Sequence, residues 1–297
     1  MSLNLLLQNI ANGFSLGSLY ALIAIGYTMV YGILRLINFA HGEIFMLAPY
    51  FLYFGFLMFH LPWWLSVLVA IILTALTGML TERVAYRPLR DAPRISALIS
   101  AIGVSFFLQN LAIVLFSGVP KSVHRPEFFR TLFQFGEIRI QSTLIASVII
   151  SALFLSILLY IIYKTKTGLA MRAISTDIET SRLMAIDVNK TISITFIIGS
   201  ALAAIGGILW ALRFPQIVPT MGLIPGLKAF IAAVVGGIGN ISGAMLGGFI
   251  LGMAEILFVA FFPELSGYRD AFIFLILILI LLFKPDGILG KNVQEKV

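Results

Sequence analysis

Of the chain's 297 residues 60% are hydrophobic and only 11% charged, and the mean hydropathy is +1.04. A soluble domain carries about a quarter charged residues, so this chain cannot cover a water-facing surface and reads as an integral membrane protein. The net charge of +7 sits in loops beside apolar runs, where orientation and anionic lipid account for it without nucleic acid, and the lack of cysteine excludes a disulfide framework, a thiolate metal site and a cysteine nucleophile.

No Lys or Arg precedes Arg35. A cleaved secretory signal needs a basic segment ahead of its apolar core, so the first apolar segment is expected to be a retained span. A crossing helix takes about 20 apolar residues. Apolar runs lie at residues 10–33, 39–59, 63–81, 96–117, 142–163, 191–212, 226–237, 244–262 and 269–284. The run at 226–237 is short. With the hinge Gly236-Gly237-Ile238-Gly239-Asn240 it is expected to be half of a broken pair. The expected fold is all-α: a polytopic bundle of eight or nine transmembrane helices, some broken or re-entrant, forming one membrane domain over residues 1–297. A weak internal echo sets Gly32, Asn38 and Gly42 beside Gly236, Asn240 and Gly243, each ahead of an apolar run. Transporters built from repeats break helices in corresponding places.

Short loops rich in Lys and Arg stay cytoplasmic. Three basic clusters agree on one side: Arg83, Arg87, Arg90 and Arg94; residues 164–190; and Lys284, Lys291 and Lys296. They put the C-terminus in the cytoplasm. The segment 118–141 carries Lys121, Arg125, Arg130 and Arg139 with Glu127 and Glu137, and is expected to be a small external structure. The most informative stretch is Thr165–Asp187, crowded by Lys164, Lys166, Arg172, Arg182 and Lys190. Ala170, Ile174, Ile178, Ser181 and Ala185 fall near one stripe of a 3.6-residue period. Thr176 and Glu179 have capping-box spacing, so a helix is expected to restart there. A folded, amphipathic loop between spans presses against something.

Four sets of residues are candidates for function. Asn38, His41 and Glu43 crowd into six residues between two spans. They line a broken helix beside a substrate path, or form an interfacial loop with Glu43 serving the next helix dipole. Their spacing is too close and too poor in ligands for a metal. Gln109 and Asn110, with Ser105, lie inside the run at 96–117 and suit helix-to-helix hydrogen bonding more than a pore lining. Glu255 has no obvious partner: it relays protons, pairs in the interior or sits near the external end. Gly236, Gly237, Gly239, Gly243, Gly247 and Gly248 superficially resemble a phosphate loop, but no strand precedes them and the spacing is wrong. Small residues four apart suit close packing or a flexible kink. There is no Gly-x-x-x-x-Gly-Lys-Ser/Thr, so any ATP that drives this chain is bound elsewhere. There is no H-E-x-x-H, and no nucleophile or metal for intramembrane hydrolysis is expected.

Several motifs taken together carry a resemblance. They are Tyr20-Ala21-Leu22-Ile23-Ala24-Ile25-Gly26-Tyr27-Thr28-Met29-Val30-Tyr31-Gly32-Ile33; Ile37-Asn38-Phe39-Ala40-His41-Gly42-Glu43; and Ile99-Ser100-Ala101-Ile102-Gly103 followed by Phe107-Leu108-Gln109-Asn110. Gly226-Leu227-Lys228-Ala229-Phe230, Gly236-Gly237-Ile238-Gly239 and the tail Pro285-Asp286-Gly287-Ile288-Leu289-Gly290 complete the set. The chain resembles, over nearly its whole length, the membrane permeases of branched-chain amino acid ABC importers. The resemblance implies a type II importer-like permease in the bacterial inner membrane, with no cofactor and no covalent chemistry of its own. It implies a second, homologous permease or self-pairing, two cytosolic ATPase subunits and a periplasmic substrate-binding protein, working by alternating access. It also makes the loop at 164–190 a docking element for the ATPase, with Gly168, Ala170, Arg172, Ala173, Asp177, Leu183, Met184 and Ile186 matching the family pattern. Ser181 stands where Ala is usual and Ala185 where the pattern has Gly. Permeases for urea and short amides share the Asn-x-Ala-His-Gly-Glu signature and remain alternatives for the substrate. An ion-coupled secondary transporter relying on Glu43 or Glu255, and an assembly subunit without a path, are the alternatives from other classes.

Overall fold

The computed structural model describes residues 3–90, 92–136 and 138–290; Glu137, Lys291 and Lys296 lie outside them. The helices are α1 (Leu3–Leu34), α2 (His41–Leu57), α3 (Trp63–Thr81), α4 (Arg94–Phe116), α5 (Ser142–Lys164), α6 (Lys166–Thr176), α7 (Ile178–Leu183), α8 (Val188–Arg213), α9 (Leu223–Gly236), α10 (Ile241–Phe261) and α11 (Arg269–Phe283). Among the described residues, seven helical stretches are long and apolar enough to cross a membrane, the last being α11 together with the 3-10 turns at Pro263–Tyr268 that lead into it; α2 and α9 are shorter. The fold is the all-α, multi-pass bundle expected from the apolar runs, and each run finds a helix. The first helix starts at Leu3 rather than near residue 10. Its polar first turns are held by Gln8, which exchanges two hydrogen bonds with the Arg139 backbone, at 2.7 and 2.9 Å.

The centre of the bundle is α1, buried along most of its length, whereas α4 and α11 are the most exposed spans. In lipid there is little hydrophobic gain in joining helices, so close contact through small residues does the joining. That is how α1 meets α10. A Cβ on Gly252 would overlap the Gly17 backbone, and one on Gly248 would lie 2.5 Å from the Ala21 nitrogen.

The two faces of the bundle differ in kind. At one, strands β1 (Lys121–Ser122) and β4 (Gln216–Ile217) pair antiparallel, as do β2 (Leu132–Phe135) and β3 (Ile138–Gln141). The 118–141 segment is therefore a small folded cap tied to the α8–α9 connection. At the opposite face, Glu82 binds Arg87 and Arg90 and accepts a 2.7 Å hydrogen bond from Ser193, while Arg90 donates to Asn189 at 2.6 Å. The end of α3 is thus fastened to the start of α8, beside the 164–190 connector. The tail joins this face too: the amides of Ile288 and Leu289 donate to Val235 and Gly236 at the end of α9. The described basic residues of the three clusters, Lys284 alone for the last, share one face and the 118–141 segment lies on the other.

Two helices begin inside the bundle rather than at a face. After α1 the chain doubles back, and α2 starts with the His41 ring against Gly26. Gly26 lies eight residues before the end of α1, about 12 Å in at 1.5 Å per residue. Here α1 also crosses α8, Gly26 against Gly199. The first turn of α9 meets the first turn of α2, Gly222 and Gly226 against Gly42. From that meeting α2 runs to the capped face and α9 to the basic face. The pair α1–α2 is therefore answered, upside down, by α8–α9. The echo read in the sequence, Gly42 with Gly243, joins different places: Gly42 answers Gly222.

The connector forms two helices with a break at Asp177, which accepts a 3.0 Å hydrogen bond from the Thr180 amide and caps α7. The capping box expected at Thr176 and Glu179 is not used. The Thr176 hydroxyl instead donates back to the Arg172 carbonyl at 3.1 Å, closing α6. Donors from Thr180 hold the Asp177 carboxyl below its ordinary range. Ala185 has φ +60°, the left-handed region that favours glycine.

Candidate functional site

The meeting of α2 and α9 leaves a cleft of about 220 Å³. Its wall comes from Tyr27 of α1, Phe39, Gly42 and Glu43 at the start of α2, Ile102, Ser105, Phe106 and Gln109 of α4, and Gly222, Leu223, Gly226 and Leu227 of α9. Glycine makes the meeting possible. A Cβ on Gly42 would come 2.6 Å from the Gly222 oxygen, and one on Gly226 would come 2.8 Å from the Gly42 Cα. Neither helix has a side-chain cap: the cap positions are Ala40 and Gly222. Two positive dipole ends thus converge beside the cleft, while the first amide of each helix, His41 and Leu223, donates to the Asn38 and Thr220 carbonyls at 3.0 and 3.4 Å.

Glu43 is the acid of this site. It is 2% exposed, on the third residue of α2. Oε1 meets only the Ser105 hydroxyl, at 3.5 Å, and Oε2 has no hydrogen-bond partner among the described residues. Gln109 lines the same cleft one turn along α4 from Ser105. The other path candidates do not. Asn38 is buried behind it and accepts a 2.9 Å hydrogen bond from Tyr86. His41 is buried with its ring 4.6 Å from that of Tyr27. Asn110 is exposed, its amide donating to the Phe106 carbonyl of its own helix at 2.8 Å.

A second set of buried charges was only half visible in the sequence. Lys228 of α9, 3% exposed, lies 2.7 Å from both Glu255 of α10 and Asp270 of α11. Glu255 also accepts a 2.8 Å hydrogen bond from Tyr20 and has Arg269 at 3.5 Å. Glu255 therefore has its charge met from three sides. The one signal for Lys228 was a lysine inside an apolar run, which must find an acid or leave the bilayer.

The hinge glycines pack as well as bend. A Cβ on Gly236 would overlap the Gly243 carbonyl, and the reverse holds for Gly243. Gly237 and Gly239, at φ +107° and +93°, form the turn between α9 and α10. One nucleophile motif does occur by spelling, Gly13-Phe14-Ser15-Leu16-Gly17. It lies in mid-helix rather than at a strand-to-helix elbow, and Ser15 accepts a 3.0 Å hydrogen bond from Arg213.

On the connector, Gly168 is buried against the end of α5, where a Cβ would overlap the Ile161 and Ile162 carbonyls. Met171, Ile174 and Ser181 face inward; Ala170, Ala173 and Ile186 are half-buried, and Asp177 is exposed. Leu183 and Met184 stand out at 86% and 73% exposure. Arg172 lies over the Tyr163 ring, at 5.5 Å, and lines a small cavity of about 90 Å³ between the connector and α1.

Residues 9–281 match the family model described as branched-chain amino acid transport system / permease component. The chain belongs to this permease family. Among its relatives is the high-affinity branched-chain amino acid transport system permease protein BraD of Pseudomonas aeruginosa, 42% identical over 98% of both chains. LivH of Escherichia coli (strain K12), a permease protein of the same description, is 44% identical over 98% of this chain and 97% of its own. A probable branched-chain amino acid transport permease protein, LivH of Methanocaldococcus jannaschii, is 31% identical over 93% and 90%. The permease is thus a multi-pass membrane protein and a non-catalytic member of its transport system.

Proposed function

We propose that this permease is the membrane subunit of an ATP-driven importer of branched-chain amino acids. The observation that carries the reading is the end-to-end match, at 42–44% identity, to relatives named for that transport. The chain has no nucleotide motif of its own, so ATP is hydrolysed by separate subunits. By the positive-inside rule the basic face is cytosolic, the C-terminus with it, and the 118–141 cap faces the periplasm. The working assembly has a second homologous permease or a copy of this one, two cytosolic ATPases and a periplasmic binding protein, in a bacterial inner membrane.

The connector α6–α7 is the docking element. A cytosolic loop with exposed Leu183 and Met184 beside Arg172 offers an apolar and cationic surface, and buried Gly168, Met171 and Ile174 tie it to the bundle. The cleft at Glu43 and Gln109 is on the translocation path, and the Gly236–Gly243 turn lets α9 move as access alternates. ATP and the loaded binding protein each favour one state, which is what shifts the equilibrium.

The test is uptake by proteoliposomes holding the assembled transporter and its binding protein. Labelled leucine is expected to enter only with internal ATP, to be competed by isoleucine and valine, and to ignore an uncoupler. Competition by urea or acetamide instead would move the substrate to that class, and abolition by an uncoupler would contradict the importer. Arg172→Glu is expected to leave membrane insertion intact and to cut ATPase co-purification several-fold, since interfacial charge reversal is unfavourable. Unchanged co-purification would remove the docking assignment.

A further inference from the structure

Glu43 is a buried carboxylate that no cation meets among the described residues. Among the described residues Glu82 and Glu255, equally buried, each hold cations, whereas no ion pair reaches Glu43. Burying an unpaired carboxylate is costly. The cleft beside it has three further properties: one unpartnered carboxylate oxygen, the positive dipole ends of two helix starts that carry no side-chain cap, and an apolar wall. A ligand that satisfies all three carries a cation, an anion and a hydrocarbon group within a few ångströms of each other. That is an α-amino acid with an apolar side chain.

We infer that the cleft is a receptor for the zwitterionic end of the transported amino acid, with Glu43 binding the ammonium and the positive end of α9 at Gly222 binding the carboxylate. Ile102, Phe106 and Leu227 receive the side chain. Helix N-termini favour anions through their dipole and unsatisfied amides, and discontinuous helices use this at mid-membrane in other transporters. The close approach of Gly42 to Gly222 brings the acid and the second helix start to one place. This assignment rests on the cleft being part of the path, as proposed above.

The experiment uses the assembled transporter in nanodiscs without the binding protein, so that affinity reports the membrane site. The probes are labelled leucine and labelled 4-methylpentanoate, which is leucine without its amine. Wild type is expected to bind leucine saturably and 4-methylpentanoate about tenfold more weakly, the size of one lost charged contact. Glu43→Gln is expected to lose about tenfold in leucine affinity and to keep 4-methylpentanoate affinity within about twofold. Glu43→Asp, which keeps the charge, is expected to retain a preference for leucine. Equal losses for both probes in Glu43→Gln would mean a structural role and overturn the proposal. So would unchanged leucine binding in that variant, loss of the preference in Glu43→Asp, or no saturable binding to wild type. ATP-driven uptake measured alongside separates the two levels. Wild type that imports no branched-chain amino acid defeats the functional reading, whereas normal wild-type uptake with an indifferent Glu43→Gln defeats only this one.

Discussion

Glu43 and Glu255 are both acids inside a membrane bundle, exposed by 2% and 4%, and their surroundings are opposite. Glu255 is met by Lys228, Tyr20 and Arg269, from three other parts of the fold. Glu43 has one hydroxyl at 3.5 Å and a free oxygen facing a cleft. A satisfied buried charge fixes helices relative to one another, and an unsatisfied one is available to a ligand. The helix α9 joins the two sites: Leu227 lines the cleft and Lys228, the next residue, holds Glu255.

The sharpest way to break the comparison is to make Glu255 resemble Glu43. Lys228→Met leaves Glu255 and Asp270 short of a cation and is expected to destabilise the fold by about 3–5 kcal/mol, read as a lower melting temperature of the detergent-purified chain. Changing Glu255 to Met as well is expected to recover part of that loss, because a matched apolar pair costs less than an orphaned charge. The converse change makes Glu43 resemble Glu255. Ser105→Lys supplies a cation within reach, and is expected to leave the assembly intact while cutting leucine uptake about a hundredfold. Glu43→Gln is expected to shift stability by less than about 1 kcal/mol, since it removes an uncompensated acid rather than a paired one. A large loss of stability there would mean that Glu43 is structural, like Glu255. The last change serves as a control remote from both acids. Ala185→Gly, at φ +60° in the connector, is expected to stabilise by about 1 kcal/mol in the same melting assay and to leave uptake unaltered.

Much of the architecture was readable before any coordinates. Apolar length marks spans because the bilayer demands it, and the basic clusters at Arg83–Arg90, 164–190 and Lys284 do share one face. The short run at 226–237 is the half-length α9. What stayed hidden depends on contacts between distant segments. Nothing near Glu255 in the chain points to Lys228, 27 residues away, or to Tyr20 in the first helix. The run at 39–59 has a full span's length, so its start deep beside Gly26 is set by packing against small residues and not by hydropathy. Local signals also compete: Thr176 and Asp177 both suit a cap, and Asp177 wins because Thr176 is used to close the preceding turn. Asn110 looks as pore-like as Gln109 in the sequence, and only the rotation of α4 separates them.

The most direct test of the account exploits the absence of cysteine from the chain. Gln109→Cys gives a single thiol in the cleft, and Asn110→Cys one on the outward side of the same helix. In the assembled transporter the thiol at 109 is expected to react with a small water-soluble thiosulfonate at a rate that leucine slows, while the thiol at 110 shows no leucine effect. A thiol at 109 that stays unreactive in every nucleotide state, or reacts at a rate leucine does not alter, would contradict a substrate path past Glu43.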